Sequence, residues 1–251
     1  MGRRIAAGLG AIACLSAFAA SAAADTATFG SNLQGSHNLS LLTSDGAMNL
    51  ATTTGARLTA PASGVITSWA VRSGDMNSVY KIAVLEPRPA GSWFVLSVTS
   101  APTAVPDSND AVRTYPASVT VDAGDGIGLG NANPSLPLHQ SSNPGDVIGR
   151  FAGSFTAGLI LGAPTTSTGR EILLQATERY CVVPDVRGQR VAAATQLAST
   201  HDCGFLVKKK RKVKKKRKKN KVLAQSPAPG TTMPPGLNVE VTVGKLKKPK
   251  K

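Results

Sequence analysis

Between Lys208 and Lys221 the chain carries twelve lysines and arginines, interrupted only by Val213 and Asn220. Lys208, Lys209, Lys210, Arg211, Lys212, Lys214, Lys215, Lys216, Arg217, Lys218, Lys219 and Lys221 suit a polyanion, an anionic wall polymer before nucleic acid, against the alternative of a solvated charge run with no dedicated partner. Contacts of this kind read charge and not sequence. Lys245 to Lys251 adds a second basic stretch. Cys181 and Cys203 are a pair of thiols that fit one disulfide in an exported chain. Zinc is the rival reading, but two thiols do not fill a tetrahedral site; His201 and either Asp202 or Asp185 would have to complete it. The other candidates are thinner. Asp122-Ala123-Gly124-Asp125-Gly126 lacks the carboxylate spacing of a calcium loop and has the composition of a tight turn. Trp93 falls opposite Phe94, Leu96 and Val98, as a platform for a sugar ring or as a half-buried packing residue, and packing is the expectation. His37 and His139 sit in polar, loop-like sequence with no nucleophile motif nearby. A Gly-x-Ser-x-Gly elbow, paired catalytic carboxylates and a metal-ligand cluster are missing, so no enzyme, cofactor or metal is expected.

The segments that must carry these residues differ sharply in charge. Of a net +15, residues 25–179 contribute −3 and residues 180–251 contribute +16. That asymmetry predicts two domains with different partners. At the start, Arg3 and Arg4 precede an uncharged run from Ile5 to Ala20 and then Ser21-Ala22-Ala23-Ala24. This is the order of a cleavable secretion signal over residues 1–24, with Cys14 an ordinary apolar residue within it. The apolar run is shorter than the roughly 20 residues a bilayer requires, so no transmembrane anchor is expected after cleavage.

Residues 25–178 are rich in Gly, Ser, Thr, Ala and Pro, with short period-two segments between turns. Val65, Thr67, Trp69 and Val71 alternate with Ile66, Ser68, Ala70 and Arg72; Tyr80, Ile82 and Val84 alternate likewise, as do Phe94, Leu96 and Val98. The pattern predicts a mostly β chain, with a β-sandwich or jelly-roll-like domain over 25–178. Aromatics are only 4%, so its core must be built largely from Val, Leu, Ile and Ala.

The C-terminal part, 179–251, carries a recognisable pattern. Val182-Val183-Pro184-Asp185-Val186-Arg187-Gly188 resembles the opening Val-Pro-Asp-Val-x-Gly of a PASTA domain. Gln225-Ser226-Pro227-Ala228-Pro229-Gly230 and the strand Val239 to Val243 resemble its closing turn and strand. The resemblance implies a small α+β unit, one helix on a three-stranded sheet, with the helix over Val191 to Ala198. It also implies a ligand class, peptidoglycan fragments, with Pro184, Asp185, Gln225, Ser226 and Pro227 as motif residues near the ligand. The chain departs from the family in its helix cap, Arg190, whose side chain cannot accept from backbone N–H groups. It departs most in the basic insert 208–221, which is expected to be a solvated, protruding segment because like charges would crowd a helix and line both faces of a strand.

These readings converge on a secreted bacterial protein associated with the cell wall. Its partners would be peptidoglycan or anionic wall polymers; no dedicated nucleic-acid partner is expected, because export removes it from reach and no aromatics interleave the basic run. The competing reading is a lectin-like protein whose sandwich binds polysaccharide, with the basic module as an anchor.

Overall fold

The computed structural model describes residues 25–41, 45–73, 78–99, 103–105, 110–131, 136–141 and 143–247. The expected signal segment, with Cys14, and residues 248–251 of the basic tail lie outside them. The described chain is mostly β, with one α-helix among the described residues.

Two antiparallel sheets enclose the main core of the N-terminal body. One runs in the order Asp25–Gly30, Leu174–Val182, Gly64–Ser73, Ala111–Val121. The other runs Ile160–Leu161, Trp93–Val98, Ser78–Pro87, Gly126–Asn131, Gly46–Ala51, Val147–Phe151, Thr165–Thr168. Phe29, Ile66, Trp69 and Val71 of the first meet Tyr80, Ile82, Val84, Leu129 and Ile148 of the second. A short third sheet, Arg170–Ile172, Leu136–Gln140 and Leu39–Leu41, adds Leu138 and Ile172 to that core. The side chain of Asn49 stitches the sheets together: its amide donates to the Ile172 carbonyl at 2.8 Å and accepts from the Ile172 N–H at 2.7 Å.

The strands depart from simple alternation in two places. The alternation of Val65, Thr67, Trp69 and Val71 with Ile66, Ser68, Ala70 and Arg72 is broken at Thr67, a bulge against both neighbouring strands. An extra residue shifts the phase of the side chains, so Ile66 joins Trp69 and Val71 in the core. On Ser78–Pro87, Ala83 and Leu85 are buried as well as Ile82 and Val84. The reason is a second core on the outer face of the larger sheet, where Phe151, Phe155 and Leu161 cover Met48, Ala83, Leu85 and Val95. The Phe155 ring occupies the space where side chains at Gly46 and Gly128 would stand, so those glycines are its seat.

The strand Leu174–Val182 carries the chain out of the body without a linker. Ala176 belongs to the body core, and Cys181 to a separate core in the C-terminal unit. The expected boundary between 178 and 179 therefore falls inside this strand. Asp25 ties the junction, its carboxylate accepting from the Val182 N–H at 3.3 Å and meeting His201 Nδ1 at 3.2 Å. Arg179 and Asp202 form an ion pair beside it at 3.3 Å.

In the C-terminal unit the helix Val191–Thr200 lies on a three-stranded sheet ordered Gly204–Val213, Asn238–Leu246, Val222–Ser226. The first two strands are parallel and the third is antiparallel. Ala194 and Ala198 are the fully buried helix residues, with Val191 and Leu197 at the margin. They pack on Val222, Val239, Val241 and Val243. Small helix residues let the helix lie close to the valine ladder, so a core poor in aromatics still closes.

Candidate polyanion-binding site

The basic insert is not a protruding arm. Lys209 to Val213 continue the strand Gly204–Val213 and pair in parallel with Thr242 to Leu246. A short 3-10 turn, Lys216–Lys218, then brings the chain back, and Asn220 N–H donates to the Gly244 carbonyl at 2.8 Å. Like-charge repulsion does not forbid the strand because it is an edge, with long side chains reaching solvent where their charges are screened. Lysines along an edge also discourage a second chain from pairing there. Gly244 explains how the turn fits: a Cβ there would collide with the Lys218 carbonyl.

Pairing sorts the cations onto two faces. Lys209 and Arg211 share the open face with Thr242 and Gly244, while Lys210 and Lys212 share the helix side with Val243 and Lys245. Same-face neighbours along the strand stand about 6.7 Å apart. Lys208, at a bulge, reaches across to Glu240 at 2.6 Å. That is the one ion pair made by the run among the described residues. All its other basic side chains are exposed except Lys221, which is half-buried. Lys208, Lys209, Ala224, Ser226, Glu240 and Thr242 border a shallow groove of about 270 Å³ on the open face.

The motif residues of the two halves meet. Gln225 accepts from the Val186 N–H at 2.9 Å and donates to the carbonyls of Pro184, at 2.9 Å, and Pro227, at 3.4 Å. Its amide is thus a staple holding Val182–Gly188 against the turn that follows Val222–Ser226. Asp185 is exposed and grips Arg187 through both carboxylate oxygens, at 2.8 and 2.7 Å. Those bonds hold its carboxyl down to about 2. Ser226 is exposed, and Pro184 and Pro227 are half-buried.

Cys181 and Cys203 are joined as a disulfide, their Cα atoms 5.2 Å apart. The zinc reading falls with it, since both sulfurs are bonded to each other; His201 and Asp202 serve the domain junction instead. Asp122–Gly126 is a turn, with the Asp122 N–H donating to Asp125 Oδ2 at 2.8 Å. Burial pushes Asp125 up to about 6. Trp93 is half-buried and packs on the outer core of the body. His37 N–H donates to Asp110 and His139 meets the Ser36 carbonyl at 2.8 Å, so both help order the loop after the first strand.

Two residues escaped the sequence reading. Arg187 stands at the variable position of the opening motif, and only the fold brings it near Arg217, Lys218 and Lys221, which border one hollow with it. Glu178 is fully buried. Burial pushes it up to about 7. No spacing rule marks either residue.

The family model for the PASTA domain matches residues 182–245, the C-terminal part of the chain. No curated protein and no solved structure matches the chain. PASTA domains are associated with peptidoglycan or cell-wall binding.

Proposed function

We propose that this chain is an exported bacterial protein that holds to the cell wall through its C-terminal unit, with the anionic polymers of the wall as principal ligand. The observation that supports it most is the exposed cationic edge, paired to one carboxylate, on a unit that matches the PASTA family. An evenly spaced row of charges on a fixed strand suits a polymer with repeated anions, because neighbouring cations engage neighbouring charges without reordering the backbone. The disulfide fits an oxidising compartment, as the expected secretion signal would. Nucleic acid has the same charge chemistry but lies on the other side of the export step. The body, whose lone half-exposed Trp93 is engaged in packing, is a passenger presented at the wall.

The test is sedimentation of the full chain with purified sacculi, intact and stripped of anionic polymers, over a range of salt. Intact sacculi should retain the protein near 50 mM NaCl and release it steeply above about 200 mM, as screening shortens the reach of each charge. Replacing Lys209, Arg211, Lys212, Lys214 and Lys215 by Gln keeps the strand and should abolish retention. Salt-independent retention, or full retention by that variant, overturns the proposal.

A further inference from the structure

Arg187, Gly188, Arg217, Lys218, Lys221, Val222 and Leu223 border an open hollow of about 320 Å³. Its walls come from three segments joined by backbone bonds. The Gly188 N–H donates to the Val222 carbonyl and the Val222 N–H to the Gln189 carbonyl, both at 2.9 Å. On the other side Asn220 is fastened to Gly244, which holds the Lys216–Lys218 turn in place. Arg187 is not a loose side chain. Its Nε and one terminal nitrogen are bound by Asp185, which fixes the guanidinium plane and leaves the remaining N–H groups unspent. Arg217, Lys218 and Lys221 have no ion-pair partner among the described residues. The helix Val191–Thr200 begins beside the hollow, its first N–H bonded to the Asn220 carbonyl, and Arg190 gives it no side-chain cap. Its positive end adds to the potential of the four cations.

We propose that this hollow is a seat for a single phosphate group, and specifically for the phosphodiester of an anionic wall polymer whose neighbouring charges run along the cationic edge. The inference rests on the wall-binding reading for the source of the phosphate, but not for the chemistry of the seat. A tetrahedral anion offers several acceptor oxygens to cations approaching from three segments, where a planar carboxylate offers two. Arg187 already has Asp185, but bringing Arg217, Lys218 and Lys221 around one space is unfavourable without a further anion, so occupancy also relieves their repulsion. The seat would fix where a bound chain of charges begins along the edge.

The experiment is a titration of the 15N-labelled full chain with glycerol phosphate, inorganic phosphate and acetate, followed by NMR. Phosphate and glycerol phosphate should shift the Arg187, Gly188, Lys221 and Leu223 amides saturably, and acetate should bind about tenfold more weakly, the scale of one lost charge-assisted hydrogen bond. Arg217→Gln with Lys218→Gln, both exposed, should weaken phosphate binding about tenfold or more. Lys209→Gln with Arg211→Gln removes the same charge from the edge, outside the lining of the hollow, and should weaken it less than about twofold. Equal losses in the two double variants, non-saturating shifts spread over 208–221, or equal binding of acetate would overturn the seat. Saturable phosphate binding with no retention by sacculi would instead leave the seat standing and remove the wall reading.

Discussion

Replacing Glu178 by Gln tests whether the strand that joins the two units carries a buried, unsolvated carboxyl. Glu178 is on Leu174–Val182, opposite Ile66, where the bulge at Thr67 turns the strands. It is wholly buried, and burial outweighs the Ala62 backbone N–H and the Arg57 charge, which pull the other way. Its carboxyl is pushed from 4.5 to about 7. A carboxyl raised in the folded state binds its proton more tightly there than in the unfolded chain. Its contribution is therefore fully present below about pH 4.5 and is lost as pH rises through 7. At about 1.4 kcal/mol per pH unit, the loss across that window is about 3 kcal/mol. For a chain of this length that is roughly 6–12 °C in Tm. Gln cannot ionise, so the variant should gain on the wild type by that amount between pH 4.5 and pH 8. Any cost of burying an unbonded amide is a constant offset. Contributions of other groups, such as Asp125 with its carboxyl near 6, cancel in the difference. Urea unfolding followed by Trp fluorescence is the assay, because Trp69 and Trp93 both pack in the body cores. Parallel pH profiles for the two proteins would refute the reasoning: Glu178 would then be hydrated or paired.

The remaining expectations concern the C-terminal unit and its junction. Cys203→Ser, or reduction, should cost about 3 kcal/mol by the loop-entropy relation for a separation of 22 residues, read as unfolding of the C-terminal unit in calorimetry while the Trp signal of the body persists. Gly244→Ala should destabilise the unit by about 1–3 kcal/mol, because the added methyl must displace the Lys218 backbone; an unchanged melting temperature would show that the turn does not rest there. Asp25→Ala removes the acceptor shared by Val182 and His201 and should cost about 1 kcal/mol or less, since the contact is only half-buried, while making the Tyr180–Val182 segment more susceptible to limited proteolysis.

What the sequence made legible was backbone-driven. The opening Val-Pro-Asp-Val-x-Gly and the Gln-Ser-Pro turn are short, local patterns, and Gln225 shows why they travel together: each half supplies groups that bond the other. The valine ladder at 239, 241 and 243 has one buried face, so period two reveals it. The errors lie where distant chain decides the outcome. A one-residue bulge at Thr67 leaves no mark in composition, yet it puts Ile66 rather than Val65 on the inward face with Trp69 and Val71. Ala83 and Leu85 are buried by Phe155, some seventy residues away. The basic run would not choose a strand alone, and it becomes one because Thr242 to Leu246 supply a hydrogen-bonding edge.

That last point connects fold and function. A dozen cations held on a strand and a turn repel one another, and the fold must supply the energy that keeps them in place. It does so at a distance from the charges, through Val222, Val239, Val241 and Val243 beneath the helix and through the Cys181–Cys203 link. Because the scaffold bears that cost in the free state, a polyanion bound as proposed would not have to order the strand and would be attracted by direct contacts and by relief of the repulsion among the cations. A flexible lysine tail of equal charge would have to be ordered by its ligand and would hold no register. Here the parallel pairing fixes the register from Lys209 to Val213. On the proposed function, that rigidity would let a generic basic run prefer one spacing of anions over another.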